Sequence, residues 1–165
     1  MRASRRRLLL GGAAAALAVA RPAAAAGAGR SDAEQLEGLL ALERRLQAAY
    51  AAAVERDAVA RELGELLLGH EREHVRALEV SLRRLGRAPA SATVPAPPEA
   101  AMSDRRAFAR HALGLEQGAV GAYQDVLAGL RDERLLQPLG SIMGASAQHE
   151  VALREVLGIE LLPVT

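Results

Sequence analysis

The sequence predicts an all-α fold: a four-helix bundle of two αα-hairpins joined by a long Pro-rich crossover. Three observations carry that prediction. Apolar residues recur at three- and four-residue spacing along four stretches, and no stretch alternates as a half-buried strand does. Ala, Leu, Arg and Glu abound, whereas the aromatics are only Tyr50, Phe108 and Tyr123, a poor composition for a β-sandwich. The 165 residues suffice for one domain and an appendage.

The appendage comes first. Residues 1–26 hold Arg2, Arg5, Arg6, Arg7 and Arg21 and no acid. A charged start, an apolar run from Leu8 to about Ala20 and the small residues Ala23 to Ala26 follow the order of a secretory leader. Ser4-Arg5-Arg6-Arg7-Leu8-Leu9 resembles a twin-arginine signal, whose route carries folded proteins. Ala24 to Ala26 offers an A-x-A cleavage site, among several Ala triplets. The alternative is a membrane anchor, but about 13 apolar residues fall short of the roughly 20 that a span needs. The expectation is export to the periplasm, envelope or exterior, with membrane contact only through an uncleaved leader.

The leader also distorts the charge. The formal total is +1, but 21 basic residues less the leader's five leaves 16 against 20 acidic ones, a net of −4. A mildly acidic mature chain argues against a nucleic-acid partner. The lack of Cys excludes disulfides, thiolate metal sites and a Cys nucleophile.

After a short linker at 27–31, the bundle is expected over residues 32–157. Ser31-Asp32-Ala33-Glu34 fits a capping box, and Leu36, Leu39, Leu40, Leu46, Tyr50 and Val54 make a helical stripe over 32–55. Asp57 is the expected N-cap of the second helix, with Leu63, Leu67, Leu78, Leu82 and Leu85 as its stripe and Gly86 as its stop. Pro89, Pro95, Pro97 and Pro98 make 87–102 a linker, because proline cannot sit in a helix interior. About 16 extended residues reach about 50 Å, against about 43 Å for the second helix, so this linker can return the chain along the whole bundle. Ser103 is the expected cap of the third helix, with Phe108, Ala112, Val120, Tyr123, Leu127 and Leu130 as its stripe. A break near Gly129 to Asp132 precedes the fourth, striped by Leu139, Ile142, Ser146, His149, Leu153 and Val156. Pro138 belongs in its first turn or after a short lead-in helix. Residues 158–165 form a tail.

Some residues on these stripes are wrong for a core. Glu43 sits among Leu36, Leu39, Leu46 and Tyr50; Glu71 and His74 lie between Leu67 and Leu78. Glu116 lies between Ala112 and Val120, and Ser146 and His149 interrupt the fourth stripe. An unpaired buried carboxylate costs several kcal/mol, so four helices bearing polar groups at mid-length need a common reason. Their levels agree. Glu43 is 14 residues before Asp57 and Glu71 is 14 after it; Glu116 is 16 before Asp132 and His149 is 17 after it. The hairpins also look like copies. Leu42-Glu43 with Ala49-Tyr50 matches Leu115-Glu116 with Ala122-Tyr123 at an offset of 73, and His74 with Ala77-Leu78 matches His149 with Ala152-Leu153 at 75.

One Glu, then Glu-x-x-His, then one Glu, then a second His in the matching place resembles the di-iron/di-manganese carboxylate pattern. Over most of residues 32–157 the chain looks like a ferritin-like domain of the exported bacterial kind. The resemblance implies Glu43 and Glu116 as terminal carboxylate ligands, Glu71 as a bridge, and His74 and His149 as nitrogen ligands. One or two ions of iron or manganese are the implied cofactor, and the donor set also suits zinc. A departure stands at Ser146, where the pattern has its second bridging Glu. Glu150 is one residue past His149, about 100° around the helix, and so a poor replacement.

Tyr50 and Tyr123, each seven residues after a candidate ligand, read first as core; the alternative is a hydroxyl bonded to a ligand carboxylate. His70 lies one turn before His74 and His111 five residues before Glu116, but a helix-flank His is ordinarily solvated and neither is assigned to the site. There is no phosphate loop, dinucleotide fingerprint or Ser nucleophile elbow. Two functional classes remain. One is an exported metal-binding protein, with metal-dependent oxidoreductase activity toward oxygen or peroxide left open. The other is a metal-free helical module that binds or scaffolds envelope partners. Homodimerisation and a closed storage cage depend on interfaces that the sequence does not define.

Overall fold

A computed structural model describes residues 30–160. Residues 1–26, expected as a leader, most of the expected linker at 27–31 and the end of the expected tail lie outside the described residues. Four helices account for the fold: α1 (Asp32–Glu55), α2 (Arg61–Arg84), α3 (Arg105–Gly129) and α4 (Leu136–Leu157). No strand occurs among the described residues. None of the described helices is long and apolar enough to cross a membrane.

The start of α1 follows its sequence signal. Ser31 Oγ accepts from the Glu34 backbone N–H, and the Glu34 carboxylate accepts from the Ser31 N–H at 2.8 Å. Asp32, in the first turn, accepts from the backbone N–H groups of Arg131 and Asp132 at 3.1 and 2.8 Å. One carboxylate thereby fastens the α3–α4 turn to the beginning of α1.

The other ends differ from expectation in instructive ways. Asp57 does not cap α2; it takes a left-handed φ of 51° within the α1–α2 turn, and the cap position is Ala60, with no side-chain bond. Asp is among the few residues that tolerate this conformation. The turn closes tightly because residue 64 is glycine. A Cβ there would strike Val59 Cγ1 and come within 2.8 Å of Val54 Cγ2. At α3 the cap is Asp104 rather than Ser103: its carboxylate accepts from the N–H groups of Arg106 and Ala107 at 2.9 and 2.8 Å. Before α4, a 3₁₀ turn at Glu133–Leu135 serves as the lead-in, and Pro138 falls in the first helical turn, where a missing N–H costs no helical bond.

The crossover runs the length of α1. Arg87 pairs with Glu37 near the start of that helix, Arg44 donates to the Ala90 carbonyl at its middle, and Arg56 pairs with Glu99 at its end. A short 3₁₀ turn, Glu99–Met102, then delivers the chain to α3, which runs antiparallel to α1. The pairs Tyr50–Glu116 and Glu43–Tyr123 show the register. Each hairpin packs closely upon itself, α1 meets α3 along its length, and α2 and α4 touch much less.

The core contains Leu36, Leu39, Leu46, Tyr50, Leu78, Leu82, Phe108, Tyr123, Leu139 and Leu153, all at most 1% exposed. On α3 the inward residues are Ala119 and Val126, and the expected Val120 and Leu127 are half-buried. On α4, Leu157 is buried and the expected Val156 is 37% exposed. In both cases the difference is one position on a stripe that otherwise holds: Phe108, Ala112, Glu116 and Tyr123 are buried on α3, and Leu139, Ile142, Ser146, His149 and Leu153 on α4.

Candidate metal centre

The five candidate ligands converge at mid-bundle. Glu43, Glu71 and Glu116 are fully buried, and His149 and His74 are 2% and 7% exposed. They form two groups that share one member: Glu43, Glu71 and His74, and Glu71, Glu116 and His149. Within each group, one potential ligand atom per residue lies within 4.8 Å of the others.

Glu71 joins the halves. Its Oε2 lies 3.5 Å from His74 Nδ1, and its Oε1 lies 3.2 Å from His149 Nδ1. These are ion-pair contacts and not hydrogen bonds, so both oxygens are buried without a hydrogen-bond donor, and Glu116 Oε2 and Ser146 Oγ are likewise without a partner. A buried oxygen left without a donor ordinarily costs about 1–3 kcal/mol. Three such carboxylate oxygens in one place suit a cation.

The two halves reproduce each other. His74 Nδ1 meets Glu43 Oε2 at 3.3 Å; His149 Nδ1 meets Glu116 Oε1 at 3.1 Å. Tyr123 donates its hydroxyl to Glu43 Oε1 at 2.7 Å, and Tyr50 donates to Glu116 Oε1 at 2.8 Å. The tyrosines are therefore both core and carboxylate partners, and each holds the Glu of the opposite hairpin. Burial, followed by the adjacent carboxylates, raises the phenol pKa of both, which keeps them as donors.

Without a cation, protons take part in holding the cluster. Burial pushes Glu43 up to about 7. Glu71 is also penalised by burial, but the nearby imidazoles of His149 and His74, with a smaller contribution from Glu43, outweigh that and hold it down to about 2. Burial disfavours the imidazolium of His74, yet Glu43 and Glu71 raise it to about 9; His149 is raised to about 9 by Glu116 and Glu71 against the same penalty.

Position 146 is the asymmetric one. Ser146 is fully buried at the place matching Glu71, and it is too short to supply the missing carboxylate. Glu150 does not replace it: its carboxylate pairs with Arg154 at 3.3 Å. The unassigned His70 does reach the cluster, with its Nδ1 2.9 Å from His149 Nε2. The sequence signal was its i, i+4 relation to His74; its partner on α4 could not be read from that. His111 stays outside, beside Arg45 and the prolines of the crossover.

Fold and donor set together define a carboxylate–histidine four-helix bundle. A family model for the ferritin-like domain matches residues 31–159, and the chain belongs to that family. No curated protein matches it. Among solved structures, it is similar to a two-domain protein of Anabaena variabilis that contains DJ-1/ThiJ/PfpI-like and ferritin-like domains. The identity is 20% and the TM-score 0.61, over 84% of this chain and 41% of that one. At that identity the likeness concerns the fold, and this chain spans less than half the length of that protein.

Proposed function

We propose that the protein binds one or two divalent ions of iron or manganese at Glu43, Glu71, His74, Glu116 and His149. The observation that carries this reading is Glu71: fully buried, with one unpartnered oxygen turned to each imidazole. The acceptor oxygens left there without donors would be satisfied by a cation held among the carboxylates and imidazoles. Iron or manganese held there would supply one-electron chemistry toward oxygen or peroxide. The chain's own residues orient and shelter the centre. Tyr50 and Tyr123 restrain Glu116 and Glu43, and the surrounding Leu residues exclude water. Three carboxylates bring three negative charges, one short of balancing two divalent ions, so the first ion binds more tightly than the second. The reading includes export through the leader, with the centre working outside the cytoplasm.

Metal analysis of the exported protein, produced with added iron or manganese, tests the proposal. One to two equivalents are expected; less than about a tenth of an equivalent sinks it. The competing reading is a metal-free helical module, favoured by one observation: Glu43 already has a partner on each oxygen, Tyr123 and His74. On that reading, Glu71→Gln leaves the melting temperature independent of added metal and the protein's associations intact.

A further inference from the structure

We propose that His70 is a positioning residue, holding His149 in the orientation and tautomer that metal ligation needs where Ser146 has replaced the neighbouring carboxylate. The proposal rests on the metal-binding reading above and adds a residue to it. His149 turns Nδ1 to the centre, 3.1 Å from Glu116 and 3.2 Å from Glu71. Its other nitrogen, Nε2, lies 2.9 Å from His70 Nδ1. The two rings are within 12° of parallel, with centroids 5.2 Å apart. That is compatible with an N–H of one imidazole pointing at the ring nitrogen of the other.

The tautomer follows from valence. An imidazole nitrogen that gives its lone pair to a cation carries no hydrogen, so a neutral ligand His149 must carry its hydrogen on Nε2. That N–H donates to His70 Nδ1. His70 in turn keeps its own hydrogen on Nε2, on a side chain only half-buried.

The asymmetry of the two hairpins explains why such a brace is needed on one side only. His74 has Glu71 one turn before it on its own helix, and the two are in contact. His149 has Ser146 there, whose hydroxyl reaches nothing. The residue matching His70 at the 75-residue offset is Ala145, which has no polar side-chain atom. The two imidazoles are thus served differently: His74 has a carboxylate one turn before it and no matching imidazole from α4, whereas His149 has no such carboxylate on its own helix and meets His70 from α2. Both Glu71 and His70 come from α2, so that helix supports the α4 imidazole from both ends.

The test measures manganese(II) and iron(II) affinity by chelator competition in the full chain, its His70→Ala variant and its His70→Gln variant. Loss of a hydrogen-bond partner behind a ligand His typically weakens metal binding about 10–100-fold, and that loss is expected for His70→Ala. Gln can accept through Oε1, so His70→Gln recovers most of the affinity. Nitrogen-15 imidazole spectra of the metal-free protein provide an independent readout. His70 should carry its hydrogen on Nε2, and the His149 Nε2–H signal should move upfield in His70→Ala. Equal affinity of His70→Ala and wild type within about twofold, no rescue by Gln, or a hydrogen on His70 Nδ1 overturns the proposal. Wild type that takes up no metal overturns the metal-binding reading and this role with it; wild type that binds, with His70→Ala binding equally, removes only the role of His70.

Discussion

The hairpin α1–α2 and the hairpin α3–α4 build the same half-centre with one exchange. Each contributes a carboxylate, an imidazole facing it and a tyrosine that bonds the other hairpin's carboxylate. The first adds Glu71 before its histidine; the second has Ser146. This difference separates what holds the bundle from what equips it. Ser146 sits fully buried in an intact core, so the fold does not need a second central carboxylate. Glu71, by contrast, is buried with both oxygens unpartnered, a condition that the fold tolerates only through nearby imidazoles.

The largest expected effect follows from Glu71 belonging to both halves. Glu71→Gln should lower metal content to below about a tenth of an equivalent, whereas Glu43→Gln and Glu116→Gln each disturb one half and leave part of the binding. Metal analysis of the three variants side by side checks this. Equal losses in all three contradict the shared role.

Ser146→Glu attempts to make the halves alike. It should raise metal stoichiometry toward two and lower the stability of the metal-free protein by about 3 kcal/mol, since it adds one more buried carboxylate. Denaturant unfolding with and without metal measures both. A variant equally unstable with metal present indicates that the core cannot accommodate the longer side chain.

A third expectation concerns pH. His74 and His149 stand at about 9 in the folded chain against an ordinary 6.5. Their contribution to metal-free stability is full below 6.5 and is lost as pH rises through 9. Glu43, raised from 4.5 to about 7, loses its contribution over that interval as pH rises. Glu71, lowered to about 2, has the opposite sign: its contribution is present above 4.5 and lost as pH falls through 2. The cluster therefore stabilises the metal-free bundle most near pH 4.5, and less on going to 9. Metal must displace the protons on Glu43 and both imidazoles, so its affinity rises over the same range. Melting temperatures of the two forms should diverge as pH increases; parallel curves break the link.

The smallest effects belong to the tyrosines. Tyr50→Phe and Tyr123→Phe should each cost about 1–2 kcal/mol, the loss of one buried hydrogen bond to a carboxyl group. Because each hydroxyl serves the opposite hairpin, Tyr123→Phe should perturb the titration of Glu43, on the other hairpin. Carboxyl carbon-13 titration of Glu43 in Tyr123→Phe and in wild type checks this.

Much of this was legible in the chain. Residues 32–55 form the first helix as the stripe and the capping box predict, and Gly86 follows the second, with a φ of 76°. The five candidate ligands stood out because charged residues on an apolar stripe need a reason, and Glu43, Glu71, His74, Glu116 and His149 do meet. The errors have a physical pattern. Asp57 and Ser103 looked like caps by type, but capping depends on the angle of chain entry, and Asp57 is used for a left-handed turn instead. Val120, Leu127 and Val156 were expected inward where Ala119, Val126 and Leu157 are, because two adjacent apolar residues fit a helical stripe about equally well.

By itself the sequence determined the helices, the length of the crossover and the level at which polar residues gather, because these follow from local periodicity and counting along the chain. It also determined the asymmetry at position 146. Only the tertiary structure decided that Tyr50 bonds Glu116 and Tyr123 bonds Glu43, that Glu71 turns one oxygen to each imidazole, and that His70 meets His149. Those pairings join residues 66, 80 and 79 positions apart for the two tyrosines and His70. They depend on how α1 meets α3 and how α2 faces α4, a matter of helix rotation and packing that local spacing does not encode.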